Sequence, residues 1–298
     1  MKQFVLPLLS IILITLTACE DVIEVKLSKE NLDLYAVEAK ITTEDNPYVY
    51  FYKGPNVDDN TAYTGISGAM VTISDDGYRP KSILLVEDPA QKGVYHVPGH
   101  KSFFGEIGKE YTVTIEHGGV TLTAKDRLSR VEPIDLIQVM ASLRGDRKFL
   151  GIYTYGNESP GVGDYYKWDI YINGTLLNNA ENIIVVSDEQ VDGNYVRGFE
   201  IFTDFHDPKK EEDRKLKFMD TVVVKQTSIS KQAYLFYYQM HEQSMAGGLY
   251  SVPPANIKGN FSASDGKTVL GIFTAHDVST SNVVVIDESI ESQLDKRQ

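Results

Sequence analysis

The run from Tyr111 to Lys125 constrains the fold more than any other segment. Tyr111, Val113 and Ile115 alternate with Thr112, Thr114 and Glu116. Gly118-Gly119 breaks the run, and Val120, Leu122 and Ala124 resume it. Alternation with period two on both sides of a two-glycine break buries one face only as a β-hairpin, because a helix would scatter the same apolar residues around its circumference. The signature recurs. Tyr35, Val37, Ala39 and Ile41 share one strand face, and Ala69, Val71 and Ile73 alternate with Met70, Thr72 and Ser74 ahead of an Asp75-Asp76-Gly77 turn. Segments 48–52, 83–86 and 94–97 add short strands. This spacing of strands and turns predicts an immunoglobulin-like β-sandwich over 33–128.

Residues 127–134 read as a linker, since Pro133 biases its neighbour toward extended geometry. A second β-rich domain is predicted over 135–290. Tyr166, Trp168, Ile170 and Ile172 alternate before an Asn173-Gly174 turn. Segments 183–186, 196–202, 221–225, 271–275 and 283–286 are its other strand candidates, and 204–217 reads as a charged loop. One helix interrupts the β pattern over 231–245, with Ser230 as N-cap and Gly247-Gly248 as the stop. Residues 287–298 read as a polar tail, with 291–298 outside the domain. The fold class is therefore mainly β, a sandwich followed by a second β-rich domain that carries one α-helix.

The N-terminus states an address. Lys2, an apolar run through residues 4–14 and Leu16-Thr17-Ala18 precede Cys19, the one cysteine of the chain. This is the pattern of a lipoprotein signal peptide over 1–18, with Cys19 lipidated and 19–32 forming a tether. The alternative, a membrane-spanning anchor, needs about 20 apolar residues, roughly twice what is present. Glu20 and Asp21 resemble the acidic surface-export signal of Bacteroidetes-type lipoproteins. The expected location is the outer membrane facing the cell exterior, with a periplasm-facing placement as the alternative. With Cys19 lipidated, no thiol remains for a disulfide, a metal or a nucleophile.

The formal net charge is −13, which disfavours nucleic acid and anionic lipid as partners. Motifs for chemistry are sparse. His96 and His100 have the spacing of a helical zinc pair, but Pro98-Gly99 lies between them and no Glu follows His96. Asp204, His206 and Asp207 lack the acidic spacing of a calcium loop. Gly65-Ile66-Ser67-Gly68 is not a nucleophile elbow. No catalytic residue, metal or cofactor is assigned. The chain has 18 tyrosines and a single tryptophan. Tyr48, Tyr50 and Tyr52 fall on the face opposite Val49 and Phe51, where they form either a contact surface or ordinary decoration of a β face. Trp168 joins them as a candidate contact.

The order of segments resembles domain-of-unknown-function family 4249, a group of Bacteroidetes surface lipoproteins. The resemblance rests on Cys19-Glu20-Asp21-Val22-Ile23, on residues 67–75, on Gly93-Val94-Tyr95 and on Gly108-Lys109-Glu110-Tyr111. It continues through Tyr165-Tyr166-Lys167-Trp168 and Ser228-Ile229-Ser230, and above all Pro253-Pro254-Ala255-Asn256-Ile257-Lys258-Gly259-Asn260. It implies an outer-membrane lipoprotein of a kind often encoded beside TonB-dependent receptors, and it carries no catalytic residue with it. The leading expectation is a non-enzymatic accessory or ligand-capture component of a TonB-dependent uptake system. Its candidate surface includes Pro253, Pro254 and Asn256, for which packing is the competing role. The alternatives are an independent glycan- or peptide-binding surface lipoprotein, and a hydrolase with a dispersed site.

Overall fold

The computed structural model describes residues 34–54, 64–144, 147–202, 205–207, 212–245 and 257–294. Cys19, Glu20, Asp21, Pro253, Pro254 and Asn256 lie outside the described residues, as does the Gly247-Gly248 helix stop. Among the described residues no helix is long and apolar enough to cross a membrane.

The fold is mainly β. The first group of strands is β1 (Tyr35–Thr42), β2 (Tyr48–Lys53), β3 (Thr64–Gly65), β4 (Met70–Asp75), β5 (Ser82–Glu87), β6 (Val94–His96), β7 (Glu110–His117) and β8 (Val120–Arg127). They pair antiparallel in the order β8-β7-β4-β5-β6-β2-β1, with β3 on β2. The expected hairpin is β7–β8, with Thr114 opposite Thr123 and His117 opposite Val120. Val49, Phe51, Val71, Ile73, Val113, Ile115 and Leu122 point inward and are at most 1% exposed. Truncating any of the larger ones to Ala removes about 2–5 kcal/mol of stability.

The second group comprises β9 (Ile134–Arg144), β10 (Arg147–Asn157), β11 (Tyr165–Ile172), β12 (Thr175–Leu176), β13 (Ile184–Ser187), β14 (Tyr195–Phe202), the small hairpin β15 (Phe205–Asp207) and β16 (Glu212–Arg214), and β17 (Thr221–Ser228). One sheet runs β14-β10-β9. In the other, β11 has β17 on one side and β12 and β13 on the other. The inner faces meet in one core, where Ile137, Val139 and Ile152 pack with Ile170, Ile172, Val222 and Val224. β9 and β10, 11 residues each, lie where no strand was expected between 135 and 165. Leu136 and Met140 place apolar groups on the face of β9 opposite Ile137 and Val139, which blurs the alternation. The segment expected as a charged loop over 204–217 contains the β15–β16 hairpin.

Helix α1 (Lys231–Ser244) forms where predicted. The Ser230 hydroxyl accepts from the Ala233 amide at 3.3 Å, satisfying one of the free donors of the first turn. Ala233 and Phe236 are its buried residues, and the helix packs on β11, β13 and β19.

The last strands are β18 (Ser262–Ala263), β19 (Val269–His276), β20 (Val278–Thr280) and β21 (Val284–Val285). Segment 271–275 was expected with the second group. Instead β19 pairs in parallel with β1, from Tyr35 opposite Val269 to Thr42 opposite His276, and β18 pairs with β8. An apolar strand shows that it is buried, not which strand lies beside it, and a parallel partner can be any distance away along the chain. These additions make a ten-stranded sheet whose ends approach each other, so that it is nearly closed like a barrel. Gly271 permits the approach. It has φ +96°, and a Cβ there would lie 1.9 Å from the Val37 carbonyl oxygen.

Residues 287–294 are docked rather than a loose polar tail. Asp287 caps the short helix α2 (Glu288–Glu291) by accepting from Ile290 N at 2.9 Å. Gln293 Oε1 accepts from Ala141 N at 3.0 Å, and Ile290 and Leu294 pack on the second core.

Candidate functional site

The pleat of β11 turns Tyr166, Trp168, Ile170 and Ile172 toward β14-β10-β9. Ile170 and Ile172 meet a closed core. At the other end of β11 the two sheets part, between the edge strands β13 and β14, and leave a cavity of about 320 Å³. Its walls come from β10 at Thr154–Asn157, from Val185–Ser187 of β13, from Val196 and Phe199 of β14, and from Tyr234 of α1.

Trp168 is fixed in this wall. Its Nε1 donates to Gln226 Oε1 at 2.9 Å, and Gln226 Nε2 donates to the Glu132 carbonyl at 3.1 Å. The ring is 7% exposed, so it is a cavity wall and not an open surface platform. Phe199 faces it with ring centroids 5.8 Å apart. Strict alternation along β14 would turn Phe199 away from Val196. A bulge at Gly198 reverses the parity: Arg197 lies opposite Tyr155 and Phe199 opposite Thr154, leaving Gly198 unpaired at φ +74°. Phe199 thus enters the cavity wall while remaining 38% exposed.

Carboxylates gather at one end. Glu158, 7% exposed, accepts from the Tyr166 hydroxyl at 2.9 Å and from Gly193 N at 2.7 Å. Asp188, 1% exposed, accepts from Gly163 N at 2.9 Å. Asp192 accepts from Gly161 N at 2.6 Å. The three offer oxygens within 4.8 Å of one another. Each is held by a protein donor, so together they tie the loop after β10 to the loop after β13. Burial, and then the bond to Glu158, push the Tyr166 hydroxyl above its ordinary pKa. Burial, and then Glu158, Asp188 and Asp192, raise the Asp164 carboxyl. The potential here is negative. A second cavity of about 390 Å³ adjoins the first at Tyr166 and reaches Arg130 and Lys231.

The other sequence candidates lie elsewhere. Tyr48, Tyr50 and Tyr52 line the outer face of β2 as a half-buried ladder, with centroid separations of 4.8 Å and 6.1 Å. Tyr48 donates to Glu38 at 3.1 Å and lies under Lys40 Nζ, 4.9 Å from the ring centroid. The ladder and Trp168 are not brought together in one site, because the ladder lies near Lys167, Asp169 and Tyr237 on the outer side of β11, whereas Trp168 points to the inner face of that strand. His96 is on β6 with Nδ1 3.0 Å from the Val97 carbonyl, and His100 follows in a turn. The side chains of 204–207 lie outside the described residues. Phe199, Glu158, Glu189 and Gln226 were missed in the sequence. The one local signal was Gly198 inside a strand pattern, which marks a bulge or a close approach.

The sequence profile of the family described as "Domain of unknown function (DUF4249)" matches residues 20–282 of the chain. No curated protein matches it.

Proposed function

The chain belongs to the DUF4249 family, and we propose that it is a non-enzymatic outer-membrane lipoprotein that captures a ligand for a TonB-dependent uptake system. In this reading Cys19 carries the lipid, Glu20 and Asp21 direct surface export, and the cavity at Trp168 holds the ligand. The cavity is the observation that carries the proposal. It is concave and aromatic-walled, it opens between two strand edges, and it has a half-exposed Phe199 turned into it by a bulge. The test is uptake in cells. Phe199→Ala, in a protein displayed at normal abundance, lowers uptake of the cognate ligand if the cavity captures it. Uptake unchanged both by this variant and by deletion of the whole chain contradicts the proposal.

The tyrosine ladder favours a second reading, an independent glycan- or peptide-binding protein. Tyr50 and Tyr52 stack within 20° of parallel and offer a flat aromatic strip. Glycan and peptide arrays probed with wild type and Tyr52→Ala separate this reading from the first.

We further infer an immunoglobulin-like arrangement for the first unit. β8-β7-β4-β5 facing β6-β2-β1 follows the strand order of such sandwiches, with β1, β2, β4, β7 and β8 in the places of A, B, C, F and G. The two sets join only where Val86 and Glu87 of β5 meet His96 and Tyr95 of β6; amide-exchange protection confined to that short join supports two facing sheets, and protection along the whole facing edges of β5 and β6, as in a continuous barrel wall, contradicts them.

A further inference from the structure

The cavity at Trp168 has a charge pattern that narrows what it can hold. Tyr166, Trp168, Phe199 and Tyr234 share its lining with Glu158 and Glu189, and among the described residues no Lys, Arg or His joins them. The nearby acids Asp164, Asp188 and Asp192 add to the same sign of potential at the Tyr166 end, and the cations nearest that end, Arg130 and Lys231, line the adjoining cavity and not this one. Glu158 is occupied by two neutral donors, Tyr166 and Gly193, so its charge is oriented but not neutralised. Glu189 is exposed at the rim, and among the described residues it carries no ion pair. Its field reaches Tyr234.

An anionic ligand would meet carboxylates without a counter-charge. A neutral ligand would fit the apolar walls and leave the charge unused. A cation with an apolar body satisfies both. Ring faces attract ammonium and guanidinium groups through their quadrupoles, most strongly where water is excluded, and a nearby carboxylate adds Coulomb attraction. We propose that this cavity binds an amphipathic organic cation, with its ammonium or guanidinium directed to Glu189 and its apolar body between Trp168 and Phe199. The proposal rests on the ligand-capture reading and gives it a chemical class. The same chemistry is found in a free amine and in the basic side chain of a peptide.

Trp168 is the one tryptophan in the chain, so its emission reports on the cavity directly. The probes are phenethylamine, a capped phenylalanyl-arginine dipeptide, phenylpropionate and 2-phenylethanol, titrated into the full chain and into Glu189→Gln and Phe199→Ala. Circular dichroism establishes that both variants are folded. At least one cationic probe is expected to change the emission saturably and to bind about tenfold or more tightly than the anionic and neutral probes. Glu189→Gln is expected to weaken it by about tenfold, and added salt to weaken it more in wild type than in that variant. Binding of the amine alone identifies a free-amine ligand, and binding of the dipeptide alone identifies a peptide; either supports the class. Equal binding of phenylpropionate or 2-phenylethanol, an unaltered affinity in Glu189→Gln, or no response to either cation overturns it. The uptake assay with Phe199→Ala is independent of these probes, so capture of a ligand of another class would still stand.

Discussion

Asn260 pairs with Phe273 as a strand residue would, through its side chain. Its Oδ1 accepts from Phe273 N at 2.9 Å, and its Nδ2 donates to Phe273 O at 2.7 Å. The same Nδ2 reaches the Lys125 carbonyl of β8 at 3.1 Å. One amide thereby joins β19 to β8 at the seam where the ten-stranded sheet nearly closes. Asp126 adds a second tie by accepting from Ala275 N at 2.8 Å. Asn260→Ala leaves the Phe273 amide and carbonyl without these partners, and is expected to cost about 1–3 kcal/mol in urea denaturation. Asn260→Asp is expected to be no better, because a carboxylate replaces the donor that both carbonyls require.

Gly271 tests the close approach at the same seam. Gly271→Ala places a methyl 1.9 Å from the Val37 carbonyl oxygen and holds a non-glycine residue at φ +96°. The expected loss is several kcal/mol, above the roughly 1–2 kcal/mol of left-handed strain alone. Gly266→Ala is the control, with φ +75° and nothing near the added methyl. Thermal unfolding of the two variants separates collision from strain.

Two buried groups give opposite pH dependences. Burial, and then the charges of Lys40 and Lys167, push the His276 imidazole from 6.5 down to about 3, while Asp169 pulls the other way. The folded chain therefore binds fewer protons than the unfolded chain between these values. This contribution to stability is fully present above about 6.5 and is lost as pH falls toward 3. Burial raises Asp126 from 3.8 to about 6. Its contribution is fully present below 3.8 and is lost as pH rises through about 6. Urea midpoints from about pH 4 to 7 are expected to fall less steeply on acidification in His276→Gln than in wild type, and to fall less on raising the pH in Asp126→Asn.

Tyr166→Phe removes the hydroxyl that donates to Glu158. It leaves a buried carboxylate with one fewer donor, at an expected cost of about 1–3 kcal/mol. Glu158→Gln combined with Tyr166→Phe is expected to recover part of that loss. A double-mutant cycle measures the coupling.

The hairpin from Tyr111 to Lys125, the strand at Trp168 and the helix capped by Ser230 were legible in the sequence, because each is specified by a local period and a local stop signal. The placement of β19 beside β1 was not, since nothing in Val269–His276 encodes a partner more than 200 residues away. The strands β9 and β10 were hidden by apolar residues on both faces. The same limits apply to the cavity. Trp168 was visible as a lone aromatic, but Phe199 reaches it only because a bulge at Gly198 reverses the strand parity. Glu158 and Gln226 meet it only through tertiary pairing. Asn260 stood in the Pro253–Asn260 motif without a role, and its role is to close the seam.

The central claim, a surface lipoprotein that hands ligand to a transporter, is tested most directly by native pull-down of the lipidated chain from detergent-solubilised outer membranes, followed by mass spectrometry. Stoichiometric recovery of a TonB-dependent barrel, lost when Cys19→Ala releases the chain from the membrane, is the predicted result. Recovery of the lipoprotein alone, from membranes that contain the barrel, would contradict it.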